Sequence, residues 1–121
     1  MKPLTVVIAQ GDQQAAQQLA ASLNQHFRAV HLATSADEVR HAIPKNRADL
    51  AIVDLELMSV AEVQDLRREY HHTNVICTHR VPDEEMWARA LDAGALDCCH
   101  SSDVRSIVLA ATRNFAVAHA A

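Results

Sequence analysis

The sequence predicts an α/β fold, a doubly wound five-stranded parallel sheet with helices on both faces. Two observations predict it. Apolar runs of five or six residues alternate five times with stretches of helical periodicity, which is the pattern of consecutive βα units. The first, third and fourth runs are apolar at successive positions rather than at every second one. Strands of that kind are buried on both faces, as in a parallel sheet covered by helices on each side, and right-handed crossovers then give the doubly wound arrangement.

Taken in order, Thr5-Val6-Val7-Ile8-Ala9 reads as strand one, ended by Gln10-Gly11-Asp12. Ala16, Leu19, Ala20 and Leu23 recur at helical spacing, predicting an amphipathic helix over residues 13–26. Ala29 to Ala33 is strand two, with His31 interrupting its apolar run. Ser35-Ala36-Asp37-Glu38 is a capping-box pattern that opens a second helix, expected to end before Pro44. Leu50 to Leu55 is strand three, and Val60, Val63, Leu66 and Tyr70 mark a third helix. Asn74 to Thr78 is strand four. Pro82-Asp83-Glu84-Glu85 is an acidic helix start. Met86, Trp87, Ala90 and Leu91 form the expected inner face of that helix, and Gly94 suits its C-terminal cap. Ala95 to Cys99 is strand five. Asp103 is placed to cap a last helix whose apolar residues are Val104, Ile107, Val108, Ala111 and Phe115.

Bulk properties narrow the function classes. A chain of 121 residues, half of them hydrophobic, suits one compact domain. The formal charge is −4, with Lys and Arg scattered and no basic block, which argues against nucleic-acid binding. No apolar run approaches the length of a membrane span. The start, MKPLTVVIAQGDQQ, lacks the length and cleavage site of a secretory signal, so a cytoplasmic location is expected. No linker, repeat or separate effector segment is evident, and residues 1–121 are expected to form a single domain. The two glycines form neither GxGxxG nor GxxxxGK[ST], which disfavours nucleotide binding. Cys77, Cys98 and Cys99 match no zinc or redox spacing, and buried reduced thiols are the expectation.

Ligands of doubly wound sheets bind at the carboxyl ends of the strands, where the strand order reverses. With strand order 2-1-3-4-5, the ends of strands one and three are neighbours there. Gln10, Gly11 and Asp12 lie at one end and Asp54 at the other. A carboxylate closing the apolar run ADLAIVDLELM is costly unless it is partnered. Asp54 therefore either performs chemistry at a site or caps the following turn.

At these residues the chain resembles the receiver domains of bacterial two-component response regulators, which have the (βα)5 flavodoxin-like fold. The resemblance spans almost the whole chain. It is carried by the five βα units, by ADLAIVDLELM around Asp54, and by Ala90-Leu91-Asp92-Ala93-Gly94-Ala95-Leu96-Asp97, similar to the family's ALxAGAxD pattern. The resemblance implies a phosphoryl group passed from a histidine kinase to Asp54. It also implies Mg²⁺ held by an acidic pair after strand one, by the aspartate and by a carbonyl two residues beyond it. A Ser/Thr after strand four and a Lys after strand five would hold the phosphoryl oxygens.

The carry-over is incomplete. The acidic pair falls on Gln10 and Gly11, with Asp12 one residue later; the carbonyl belongs to Glu56. The Ser/Thr position holds His79, while Thr78 would require a one-residue shift. The Lys position holds Ser101, followed by Ser102 where the family has proline. Cys98 stands at the aromatic switch position, and Met58 replaces a proline after the aspartate. Losing the Lys removes a charge-assisted contact worth roughly 1.5–3 kcal/mol. With a poorly held metal the deficit reaches about 4 kcal/mol, roughly three orders of magnitude in rate.

The expected function is thus a degenerate, non-enzymatic receiver-like signalling module. It would bind a protein partner (a histidine kinase or a downstream effector), with weak or no phosphorylation at Asp54. No cofactor is expected beyond weak Mg²⁺ at Asp12 and Asp54. The alternatives are a working phosphoacceptor at Asp54 and, more weakly, a metal or small-ligand sensor using His79 or His100 among the eight histidines. The resemblance further implies a docking or homodimer surface on helix 4, strand 5 and helix 5, where Asp97, Arg105 and Arg113 lie. His71-His72 falls in a loop and is expected in solvent.

Overall fold

The computed structural model describes residues 4–120, with side chains described through residue 113. The Phe115 side chain, expected on the inner face of the last helix, lies outside the described side chains. Strands β1 (Thr5–Ala9), β2 (Ala29–Ala33), β3 (Leu50–Asp54), β4 (Asn74–His79) and β5 (Asp97–His100) alternate with five helices. These are α1 (Gln13–Leu23), α2 (Ala36–Asn46), α3 (Val60–Glu69), α4 (Glu84–Asp92) and α5 (Val104–Ala120). All pairings are parallel, in the order β2-β1-β3-β4-β5. The (βα)5 receiver-type fold expected from the sequence is the one observed.

The successive apolar residues of the central strands feed two separate cores. Val7, Ala51, Val53, Val75 and Cys77 pack under α2, α3 and α4 with Val39, Ile43, Val63 and Leu66. Val6, Ile8, Leu50, Ile52 and Ile76 point the other way, against Leu19 and Leu23 of α1 and Ile107, Ala110 and Ala111 of α5. Strand alternation thus divides one continuous apolar run between two helix layers. Phe27, in the turn after α1, closes the second core and is buried. Met58, standing where the resembled family has proline, is buried in the first.

Several boundaries differ from the sequence expectation, each for a local reason. Helix α1 stops at Leu23, because His26 N–H turns back to the Leu23 carbonyl and Arg28 N–H joins the Leu4 carbonyl. Helix α2 does not end before Pro44 but continues to Asn46, with Arg47 in the left-handed region at φ 50° as its cap. Proline has no N–H, so the carbonyl four residues earlier loses its helical donor. That carbonyl belongs to Arg40, and the Tyr70 hydroxyl donates to it at 3.1 Å. Strand β3 ends at Asp54, whose carbonyl accepts from both Leu57 and Met58. Strand β5 begins at Asp97 rather than Ala95, because Ala95 N–H bonds back to the Ala90 carbonyl and belongs to the end of α4. Gly94 at φ 103° makes that ending, as its composition predicted.

Helix α4 does not bury the face expected of it. Ala90 is its buried residue, and Trp87 is 47% exposed rather than turned inward. The indole N–H explains the position: it donates to Asp97 Oδ1, at the start of β5, at 3.1 Å.

Candidate functional site

Asp54 lies in register with Thr78 on the neighbouring strand, at the C-terminal edge of the sheet. It is 4% exposed, and one carboxylate oxygen accepts from Glu56 N–H at 3.2 Å. The Gln10 side chain lies near enough to favour its charged form as well. Gln10 is itself buried, and its Oε1 accepts from Asp12 N–H at 3.0 Å, which leaves the amide N–H₂ as the group facing the carboxylate. Burial pushes the Asp54 carboxyl above its ordinary range. The Glu56 N–H and the Gln10 amide pull it back in part, the Glu56 charge adds to the rise, and His79 opposes it.

The residues flanking strand one take other roles. Asp12 is the N-cap of α1, its Oδ1 accepting from Gln14 and Ala15 N–H at 3.0 and 3.2 Å. It is exposed and committed to the helix end rather than to the pocket. Gly11 is exposed, and an added Cβ would meet Leu57 Cδ1 only at 3.6 Å, so no close approach requires glycine there. A hard divalent cation needs an array of oxygen donors. Here Asp54 already accepts a hydrogen bond, Asp12 caps a helix and the Glu56 carboxylate is paired with a cation, so these residues do not fit a tightly held magnesium. Among the described residues no group of three or more His, Cys, Asp or Glu side chains is placed to hold a metal ion.

The pocket does have a cation that the sequence reading passed over. Arg80, just past β4, forms a fork with Glu56: Nε to Oε1 at 2.7 Å and Nη2 to Oε2 at 3.0 Å. The pairing holds the Glu56 carboxyl below its ordinary range. The Asp54 and Asp12 carboxylates also reinforce the Arg80 charge. His79 stands beside the pair, with Nε2 3.8 Å from Glu56 Oε1. Its Nδ1 accepts from Val81 N–H at 3.0 Å, which fixes Nε2 as the outward nitrogen. His79 also borders a groove of about 320 Å³ between the start of α3 and α4, with Leu55, Met86 and Arg89 on its walls.

Beyond β5, Ser101 N–H bonds the His79 carbonyl at 3.0 Å, and the Ser101 hydroxyl is buried without a partner. His100 is exposed, and its Nδ1 accepts from Ser102 N–H at 3.1 Å. Arg80, His100 and Ser101 line one groove of about 280 Å³ against α1.

Remaining candidates take structural places. Cys77, Cys98 and Cys99 are free and buried. Burial pushes the Cys77 and Cys99 thiols up to about 12 and raises Cys98 as well. His71 and His72 are exposed, with ring centroids 4.2 Å apart. On the α4, β5, α5 side, Trp87 and Leu109 are exposed large apolar residues. Among the described residues, no helix is long and apolar enough to cross a membrane.

No family model matches the chain, and neither does any curated protein sequence. Solved structures do match. A response regulator from Thermotoga maritima superposes with a TM-score of 0.82 at 19% identity, over 93% of this chain and 97% of that one. The signal receiver domain of the response regulator NarL from Mycobacterium tuberculosis gives 0.79 at 18%, over 96% and 98%. The BeF3-activated N-terminal receiver domain of RstA from Klebsiella pneumoniae gives 0.78 at 20%, over 91% and 96%. At these identities the likeness concerns the fold, which is that of response regulator receiver domains.

Proposed function

We propose that the chain is a receiver-like signalling module that acts through contact with a protein partner, with little or no phosphoryl transfer at Asp54. The reading rests on one observation: the Asp54 carboxylate is buried against the Gln10 amide, and the acidic group nearest in sequence to strand one, Asp12, caps a helix. Phosphoryl transfer from an acyl phosphate to a carboxylate requires the carboxylate oxygen to approach phosphorus while cations neutralise the charge on the three equatorial oxygens. Asp54 is covered, and Arg80 is engaged by Glu56.

A second reading is favoured by Arg80 itself. A guanidinium that responds to the Asp54 charge is a chemical substitute for the missing lysine, and it keeps a working phosphoacceptor as the rival. Intact-mass measurement separates the two. The protein and its Asp54→Asn variant are incubated with an acyl phosphate and Mg²⁺. The proposal expects no Asp54-dependent phosphoryl adduct, or one formed about a thousandfold more slowly than uninhibited transfer. A prompt adduct that disappears in Asp54→Asn overturns it.

A further inference from the structure

We propose that Glu56 is a built-in competitor for the pocket's cation. Its carboxylate occupies the Arg80 fork, so that a phosphate-sized oxyanion binds beside Asp54 only when Glu56 is displaced or neutralised. The inference rests on the reading above, that the pocket is a receiver pocket without its usual cation, and it says what regulates that pocket.

Geometry carries the argument. A carboxylate and a phosphate present the same pair of oxygens to a guanidinium, and Arg binds either through two parallel N–H bonds. The two Arg80–Glu56 contacts, 2.7 and 3.0 Å, are such a fork. An incoming oxyanion must take the place of the Glu56 carboxylate or share the guanidinium with it at the cost of like-charge repulsion. The chain places this competitor beside the cation. Asp54 is in register with Thr78, and Glu56 and Arg80 lie in the segments that follow the ends of these two neighbouring strands. His79 Nε2, 3.8 Å from Glu56, adds a second group that favours an anion in the same place. A further donor is present: the Ser101 hydroxyl is buried without a partner and lines the same groove as Arg80. A buried hydroxyl in that state gains a hydrogen bond when an oxyanion enters.

The test uses inorganic phosphate as the probe, with binding followed by isothermal titration and by the ¹H–¹⁵N signals of Arg80 Nε–H and the His79 ring. Both Glu56 and Arg80 have exposed charged ends, so the variants are expected to fold, and thermal melts check this. Glu56→Gln is expected to bind phosphate about tenfold more tightly than the parent, because the neutral amide releases the fork. Glu56→Ala is expected to do the same. The gain is expected to vanish in Glu56→Gln/Arg80→Ala. Equal phosphate affinity in parent and both Glu56 variants, or a gain that persists without Arg80, overturns the inference. These outcomes are independent of any adduct on Asp54, since phosphate in this experiment forms no covalent bond. The two proposals therefore fail separately.

Discussion

The Asp54 carboxylate sits where water scarcely reaches, with the Glu56 N–H and the nearby Gln10 side chain as partial compensation for its charge. That conflict has a measurable consequence. A carboxyl whose folded value is raised binds its proton more tightly in the native than in the unfolded state. Its contribution to stability is complete below the unfolded value of 3.8 and is lost as pH rises through the higher folded value. The stability difference between the parent and Asp54→Asn should therefore shift against the parent as pH rises through that window. The slope for one proton cannot exceed about 1.4 kcal/mol per pH unit. Urea unfolding of both proteins from pH 3.5 upward measures it; a difference that moves in the parent's favour would show a carboxyl stabilised in its charged form. Asp54 was legible in the sequence because a carboxylate ending an apolar run needs an explanation. Arg80 was not. Its role depends on meeting Glu56 where the chain leaves two neighbouring strands, and that meeting is a property of the folded sheet. A pointer did exist, since Glu56 and Arg80 are opposite charges just past the ends of two strands expected to be neighbours. Asp12 misled for a related reason: a side chain at the end of a strand is also at the start of the next helix, and the helix N–H groups took it.

At the scale of the element, α2 shows how a rule of local sequence can be answered from a distance. Pro44 was expected to follow the helix, yet the helix passes through it. The cost of a proline inside a helix includes the orphaned carbonyl four residues earlier. Tyr70, 30 residues away in sequence, supplies the donor. Nothing in the local pattern around Pro44 could have announced this, because the partner sits at the end of another helix. The arrangement predicts a coupling. Tyr70→Phe should cost about 1 kcal/mol, the scale of one buried hydrogen bond. In a Pro44→Ala background the alanine N–H can bond the Arg40 carbonyl directly, so the same Tyr70→Phe change should cost well under half as much. A double-mutant cycle in urea reads the difference, and equal costs in both backgrounds would remove the hydroxyl from any such role. Strand β5 makes the complementary point. Ala95 and Leu96 are as apolar as a strand requires, but the Gly94 turn bonds Ala95 back to the helix, so the ladder starts two residues later than the apolar run.

At the scale of the whole molecule, the decisive feature is that the sheet is covered on both sides. This was the most legible part of the fold, because unbroken apolar runs in central strands have few other uses. Those two covers also explain why Asp54 is held so firmly at the sheet's edge: the backbone under it is fixed by core residues facing both ways. Ile52, fully buried, packs on the α1 and α5 side, and its neighbour Val53 packs under α2, α3 and α4. Adjacent residues of one strand therefore belong to different cores, and neither has a solvent face to fall back on. Truncating either leaves a cavity in a layer that cannot relax toward water. Ile52→Ala should cost about 2–4 kcal/mol and Val53→Ala about 1–3 kcal/mol. The outer strand β2 offers the contrast, because Leu32 is 40% exposed. Leu32→Ala should cost under about 1 kcal/mol, since much of its side chain already meets solvent. Urea midpoints at constant slope give all three values. A mild effect at Val53 beside a severe one at Ile52 would mean that one helix layer is not a core but a cover, and the rigid seat assigned to Asp54 would lose half its support.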